Sequence, residues 1–323
     1  MIFKNPVPNF IYMMYRRFRY LYLNDTTPVV ASIKVTQRCN LRCTHCTWVN
    51  KVTQDLPLQR WKEIIDTIYD RGCFVIFIEG GEPTLREDLS EIISYIKGKG
   101  MGCVMFSNGT RDLPDADLNA VWISIDGTEK NHDAVRGNGS YEKVMRTLER
   151  YPEKNIFSMT TLSKTNTSEI ESICEELSST SLKGLIFNFM YPYKDISSQV
   201  LPREERVAVA RELMGLKQTY PKIISSDSYL KTVGQPDKIC YPWLLLLATA
   251  DGNITQGCTV EPAEERNCDV CDMMCGLEAT LGFELYRDSM KFWNNFNILS
   301  YVDIDRCPDW TLRMSRINRK LDT

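Results

Sequence analysis

From residue 31 onward, short apolar runs alternate with stretches whose apolar positions recur every three or four residues. Residues 31–36 (ASIKVT) read as a strand running into a polar, cysteine-bearing loop. Leu58, Trp61, Ile64, Ile65 and Ile68 share one helical face, and Gly72 stops that helix. Residues 74–78 are continuously apolar between Gly72 and Gly80, as in a strand covered on both faces. Leu85, Leu89, Ile92, Ile93 and Ile96 predict the next helix, with Glu87 and Asp88 near its start and Gly98 and Gly100 at its end. Further strands are expected near 102–106, 121–125, 156–162 and 185–189, with helices at 141–150 and 168–177 between the last three. Six strands alternating with helices predict a parallel α/β sheet, doubly wound or a partial barrel. Ligand sites in such folds gather at the carboxyl ends of the strands. The cysteine loop, Gly80 and Gly81, Ser107 and Asn108, and Asp126 each follow a strand and therefore share one mouth.

Beyond Tyr193 the alternation fails. Residues 195–237 hold one clear helix near 204–216, and from Cys240 the chain becomes cysteine-rich loops followed by a helix from about residue 277. The expected organisation is an N-terminal helix (1–28), an α/β core (29–195), a helical connection (196–239) and a small C-terminal domain (240–323). A length of 323 residues suffices for one full core with an appendage. The net charge of −3 excludes nucleic-acid binding by bulk electrostatics. No apolar run approaches the roughly 20 residues of a membrane span, and no signal-peptide pattern opens the chain, so a cytoplasmic location is expected. Residues 10–23 (FIYMMYRRFRYLYL) are aromatic and, with Lys4, Arg16, Arg17 and Arg19, basic. Such a helix either packs across the bottom of the barrel or lies in a membrane interface.

Twelve cysteines in a reducing compartment point to metal before disulfides. Cys174 falls on the apolar helical face of Ile170, Ile173 and Leu177, and Cys73 and Cys103 open apolar runs, so all three read as core; Cys307 stands alone. The others form two groups. In CNLRCTHC (39–46), Cys39, Cys43 and Cys46 are separated by three and then two residues. Three thiolates on one tight loop can hold three irons of a cubane and leave the fourth open to a ligand. Zinc, the alternative, takes a fourth protein ligand, and His45 beside Cys46 is poorly placed to close the same site.

These residues resemble the CxxxCxΦC motif of the radical S-adenosylmethionine (SAM) superfamily, and the resemblance runs from about residue 31 to 193. Gly80-Gly81-Glu82-Pro83 is similar to its GGEP motif, and Ser107-Asn108-Gly109 and Ser124-Ile125-Asp126-Gly127 to its third and fourth strand ends. The segment HDAVRG (132–137) resembles another stretch common there, with Arg136 a partner for the SAM carboxylate. The resemblance implies a partial (β/α)6 barrel and a [4Fe–4S] cluster on Cys39, Cys43 and Cys46. His45 then packs beside the adenine, Glu82 and its neighbouring backbone receive the SAM ammonium, and Ser107, Asn108, Ser124 and Asp126 contact ribose or carboxylate. It further implies a 5′-deoxyadenosyl radical and reduced flavodoxin or ferredoxin as electron donor. No cobalamin-binding segment precedes the barrel.

The second group is Cys240, Cys258, Cys268, Cys271 and Cys275. The run ADGNITQGC (250–258) resembles the hairpin of SPASM and Twitch auxiliary-cluster domains, which implies a second [4Fe–4S] cluster; a zinc ribbon is the alternative. More narrowly, C-x-P-W, Gly257-Cys258 and C-x-x-C-x-x-x-C-G-x-E-A-T resemble the adenosylhopane synthase and calditol synthase group. That likeness implies an oxidoreductase or transferase of lipid biosynthesis, characteristic of anaerobes, with an isoprenoid or membrane-lipid substrate and peripheral membrane contact. A Twitch-type maturase of a peptide or small-molecule precursor is the rival reading; no segment before residue 31 is long enough for a separate peptide-binding module. A non-catalytic metal scaffold is the third, and it has no use for the GGEP and SNG loops.

Overall fold

The computed structural model describes residues 9–47 and 54–299. Cys307, Lys4 and the last part of the expected 240–323 domain lie outside the described residues. The strands are β1 (Val30–Thr36), β2 (Val75–Gly80), β3 (Gly102–Ser107), β4 (Ala120–Ser124), β5 (Ile156–Leu162), β6 (Gly184–Phe189), β7 (Leu245–Ala248) and β8 (Ile254–Gln256). The helices are α1 (Asn9–Leu23), α2 (Leu58–Asp70), α3 (Leu89–Gly98), α4 (Glu129–Arg136), α5 (Ser140–Arg150), α6 (Ile170–Ser178), α7 (Arg203–Leu216), α8 (Asp227–Thr232), α9 (Met274–Phe283) and α10 (Arg287–Asn294).

All strands lie in one sheet, ordered β6-β5-β4-β3-β2-β1-β7-β8. The first six are parallel in sequence order, as an incomplete barrel requires, and β7 pairs parallel to β1 while β8 returns antiparallel. The β7–β8 hairpin is therefore continuous with the core sheet. Its hairpin covers the edge that β1 would expose, with Val30 to Ile33 matched to Leu245 to Ala248.

The strands are buried because both faces are covered. Ile64, Ile65 and Ile68 of α2 and Ile92, Ile93 and Ile96 of α3 pack outside, each at most 1 % exposed. The inner face is filled differently at its two ends. Toward the strand amino ends, Phe77, Trp122 and Phe157 meet Phe292, Trp293 and Phe296, which α10 and the turn after it push against the sheet. Toward the carboxyl ends the inner face stays open.

The helix α1 packs at the amino-terminal edge of the strands, where the Tyr12 hydroxyl donates to Gly72 O at 2.9 Å and its ring meets Phe74 edge-on. Its arginines turn to carboxylates rather than forming an exposed basic face. Arg16 and Arg19 both pair with Asp25, at 2.9 and 2.5 Å, and Arg17 reaches Glu284 at 2.8 Å and Phe283 O at 3.0 Å. These ion pairs and the hydrogen bond to Phe283 O offset the cost of desolvating the arginines.

The residues of the E-A-T triplet serve packing. Glu278 is fully buried and accepts from Ser226 N at 2.9 Å and from the Ser289 hydroxyl, tying α9 to α8 and α10. Thr280 accepts from Tyr241 N at 2.8 Å. Burial pushes the Glu278 carboxyl up to about 7, against the opposing hydrogen bonds from Ser289 and Ser226. Its folded pKa lies above its unfolded one, so the folded chain holds the extra proton and stability falls as pH rises from about 4.5 to 7. Glu278→Gln keeps the hydrogen-bonding shape without the charge. The variant's unfolding free energy should match that of the unaltered protein near pH 4.5 and exceed it at pH 8, by on the order of 3 kcal/mol at most. A difference between the two proteins that does not change with pH would refute this account.

Candidate active site

Each element of the mouth is held by a local reason legible in the residues. In the cysteine loop, the Cys39 sulfur accepts from Leu41 N at 3.5 Å and from the Asn108 side-chain amide at 3.8 Å, and Arg136 Nη1 lies 3.9 Å from the Cys43 sulfur. Burial pushes the Cys39 thiol up and that of Cys43 to about 11, and each is raised further by its neighbouring cysteines while Arg136 opposes the shift at Cys43. Three sulfurs in mutual electrostatic range, met by N–H and guanidinium donors, are the environment an anionic thiolate cluster needs. Among the described residues no three Cys, His, Asp or Glu groups converge as ligands of one ion. A cubane does not ask for that, since it takes one thiolate at each of three separate corners.

The Gly80 and Gly81 pair is required by the neighbouring strand. A Cβ on Gly80 would stand 2.2 Å from Thr36 O, and one on Gly81 2.2 Å from Arg38 O. The close approach lets Gly81 N donate to Thr36 O and Glu82 N to Arg38 O, each at 2.8 Å, so the loop is stitched to the start of the cysteine loop. The Glu82 carboxylate is also occupied. It is fully buried and accepts from Asn108 N at 2.7 Å, the Ser107 hydroxyl at 3.0 Å, and the Thr84 hydroxyl and amide at 2.7 and 3.2 Å. Glu82 thus fixes the third strand end to the GGEP loop, with Pro83 opening the single turn that follows. Gly80 and Gly81, not Glu82 or Pro83, face the cavity.

Asp126 and Arg136 form a buried pair, Nε to Oδ2 at 2.7 Å, and Asp126 also accepts from Thr161 N at 2.9 Å. His45 Nε2 stands 3.9 Å from the same carboxylate. Burial lowers the His45 pKa, so the ring is neutral beside the cavity. His132, buried within α4, accepts from Asp126 N at 3.3 Å; burial depresses it to about 4, so it is a neutral support for the strand-four loop.

A cavity of about 370 Å³ lies between these elements. Cys39, Cys43, His45, Cys46, Gly80, Gly81, Ser107, Asn108, Ser124 and Arg136 border it, and so does Cys275 with Thr259 from the second cysteine group. The hydroxyl of Thr259 and the sulfur of Cys275 are 3.8 Å apart. Asp126 stands behind Arg136 rather than on the cavity wall. Larger grooves of about 820 and 740 Å³ open elsewhere on the surface and hold none of these groups.

The second group also gathers. Burial first, and then one another, raise the thiols of Cys240, Cys271 and Cys275 to about 12, 11 and 12, with Cys258 and Cys268 contributing to the first two. The Cys240 sulfur lies so near Gly276 that a Cβ there would be 3.2 Å from it. Five sulfurs in one neighbourhood offer one more than a cubane with four protein ligands uses. Cys73, Cys103 and Cys174 are buried in the core, as expected of small apolar residues.

Two residues of the site were not singled out in the sequence, Lys34 and Glu79. They are cross-strand neighbours on β1 and β2, and both line the cavity. A signal existed: Ser32, Lys34 and Thr36 alternate with Ala31, Ile33 and Val35, so the strand turns a polar row inward. Asp55 was missed too. It accepts from Thr36 Oγ1 at 2.6 Å and from Arg38, closing the far side of the cysteine loop.

This mouth defines an α/β enzyme domain built to hold an iron–sulfur cluster at the carboxyl ends of its strands. Residues 33–177 match the family model of the radical SAM superfamily. Its cofactors are a [4Fe–4S] cluster and SAM, and Cys39, Cys43 and Cys46 are the residues that fit the cluster. The chain is 32 % identical over 179 residues to Fe-coproporphyrin III synthase of Methanosarcina barkeri, covering 51 % of this chain and 45 % of that one. It is 35 % identical over 132 residues to the mycofactocin maturase MftC of Mycolicibacterium smegmatis (38 % and 34 %). It is 30 % identical over 216 residues to the AdoMet-dependent heme synthase of Oleidesulfovibrio alaskensis (61 % and 56 %). The chain thus spans between about a third and just over half of these curated relatives. Among solved structures, Streptococcus suis SuiB bound to S-adenosylmethionine superposes with a TM-score of 0.64 at 13 % identity, covering 79 % of this chain and 66 % of that one. Native anSMEcpe with bound AdoMet and Cp18Cys peptide gives 0.58 at 17 %, covering 88 % and 87 %. These likenesses show the fold.

Proposed function

We propose that the chain reductively cleaves SAM at the Cys39, Cys43 and Cys46 site and uses the resulting 5′-deoxyadenosyl radical to modify a cofactor or peptide precursor, as a maturase with an auxiliary [4Fe–4S] site. The observation that carries this reading is the shared cavity: Cys275 of the second group and the three cysteines of the first open on the same 370 Å³ space. When bound, the first cluster supplies the electron that breaks the bond between SAM sulfur and the ribose 5′-carbon; reduced flavodoxin or ferredoxin is the donor of that electron. The chain's own residues position and exclude. Ser107, Asn108 and Ser124 offer hydroxyl and amide groups at the strand ends, the backbone of Gly80 and Gly81 offers hydrogen bonds, and Arg136 brings a positive charge beside Cys43. Met159, Met190, Met273, Met274, Tyr193 and Ile196 wall the space and keep water from a reactive intermediate.

The substrate reading rests on the walls. They combine an apolar lining with the polar pair Lys34 and Glu79, which face each other across β1 and β2, and so suit a largely apolar body that carries polar groups. The relatives named for coproporphyrin, heme and mycofactocin support this class. The lipid reading drew on C-x-P-W, Gly257-Cys258 and C-x-x-C-x-x-x-C-G-x-E-A-T, and of these the Glu278 and Thr280 side chains are taken up by helix packing.

Anaerobically reconstituted, dithionite-reduced protein is expected to convert SAM to 5′-deoxyadenosine and methionine in equal amounts, faster when Fe-coproporphyrin III is added. Fully iron-loaded protein that yields no 5′-deoxyadenosine overturns the reaction; consumption of an isoprenoid lipid but not of tetrapyrrole or peptide probes overturns the substrate class.

A further inference from the structure

Six large apolar side chains are exposed among the described residues, and four of them, Ile11, Phe18, Tyr22 and Leu23, stand on α1 at 52–66 % exposure. The remaining two, Ile239 and Tyr286, adjoin segments against which α1 packs, since Tyr20 meets Tyr241, Trp243 and Phe283. These four are also the only fully exposed residues of α1, and Arg19 beside them, its side chain 34 % exposed, is paired with Asp25. At about 100° per residue Ile11, Phe18 and Tyr22 fall within roughly 40° of one line, with half-buried Tyr15 beside them. The stripe runs the length of the helix, which places the helix axis parallel to whatever covers it.

We propose that this stripe seats the protein on a lipid surface, with α1 lying in the plane of the membrane interface. Two observations favour lipid over a second copy of the chain. The stripe together with Leu23 at the helix end offers on the order of 500 Å² from four partly exposed side chains, well short of the roughly 800 Å² per partner of a stable dimer. Residues 1–24 include Met1, Ile2, Phe3 and Val7 and four basic residues but no acid, so nothing in this part of the chain repels an anionic headgroup. Phenylalanine and tyrosine are the side chains that settle at the headgroup level. Among the described residues no helix is long and apolar enough to cross a membrane, so the contact is one of surface. Because Arg16, Arg17 and Arg19 are spent on Asp25 and Glu284, attachment draws on apolar burial, and salt matters little. The stripe lies at the amino-terminal edge of the strands, away from the mouth, so this inference stands apart from the substrate reading.

The test is flotation of the full chain, iron-loaded, with vesicles of dioleoylphosphatidylcholine alone or with one quarter dioleoylphosphatidylglycerol, at about 0.05 and 0.5 M salt. The protein should float with both compositions, changing less than about twofold with salt. Phe18→Glu with Tyr22→Glu should reduce flotation at least tenfold, while Arg146→Glu on exposed α5 leaves it unchanged. Phe18→Trp, a milder change, should fluoresce and be quenched by brominated lipid, which keeps the test open if the double variant misfolds. Protein that stays at the bottom with both vesicles overturns the proposal. So does binding that needs the anionic lipid and vanishes at high salt, or a dimer in solution that the double variant abolishes.

Discussion

Protein in which Cys39, Cys43 and Cys46 are all replaced by alanine is expected to form no 5′-deoxyadenosine and to keep about four irons per chain, half of what the unaltered chain holds. The two halves of this result test different sites. Each of the three thiolates would be the sole protein ligand of one iron, and the donors around them, Leu41 N, the Asn108 amide and Arg136, cannot replace sulfur. The retained iron reports the second group, whose five cysteines sit in one electrostatic neighbourhood. Iron analysis with zinc measured alongside decides the matter: zinc in place of the residual iron assigns Cys240, Cys258, Cys268, Cys271 and Cys275 to a ribbon-like site. Continued SAM cleavage by the triple variant removes the first assignment.

The second large effect is expected from Asp126→Ala. Asp126 and Arg136 are both buried, and the pair is 2.7 Å apart. Removing the carboxylate strands the guanidinium and leaves Thr161 N without its acceptor, a loss of about 3–5 kcal/mol of stability. Burial alone would raise the Asp126 pKa; the Arg136 charge, then His45 and the Thr161 amide, more than offset it and hold the group below its ordinary value. A depressed folded pKa means that the pair's stabilisation is present above the unfolded value near 4 and is lost as pH falls below it. The destabilisation caused by the alanine variant should therefore shrink in acid. The double change Asp126→Ala, Arg136→Met removes both charges and is expected to recover most of the stability but not SAM cleavage, because Arg136 also faces Cys43. Equal stability of the single and double variants would show that the pair is not the source of the effect.

The six strands of the barrel were legible because buried parallel strands are nearly continuous apolar runs bounded by glycine, as at 74–78. The order of loops at their ends followed from topology, and so did the shared mouth. Three features were not legible, each for a physical reason. β7 is short and apolar, and nothing in four such residues tells whether they start a new domain or add to an old sheet; the partner, β1, is more than 200 residues away in the chain. The arginines of α1 signalled a basic surface, yet their direction is set by Asp25 and Glu284, the second of which lies at the far end of the chain. The doublet Gly80-Gly81 suggested close approach to a ligand, and the approach the structure displays is to the backbone of residues 36–38. Glycine spacing announces that something comes near without saying what.

The aromatic wedge that α10 drives against the inner face turns the barrel into a basin with one rim. Nothing can pass through the floor. Methionine, deoxyadenosine and finished product of the proposed reaction would leave by the doorway that admits the next reactants. Under the proposed reaction, spent fragments and incoming molecules would share that one threshold.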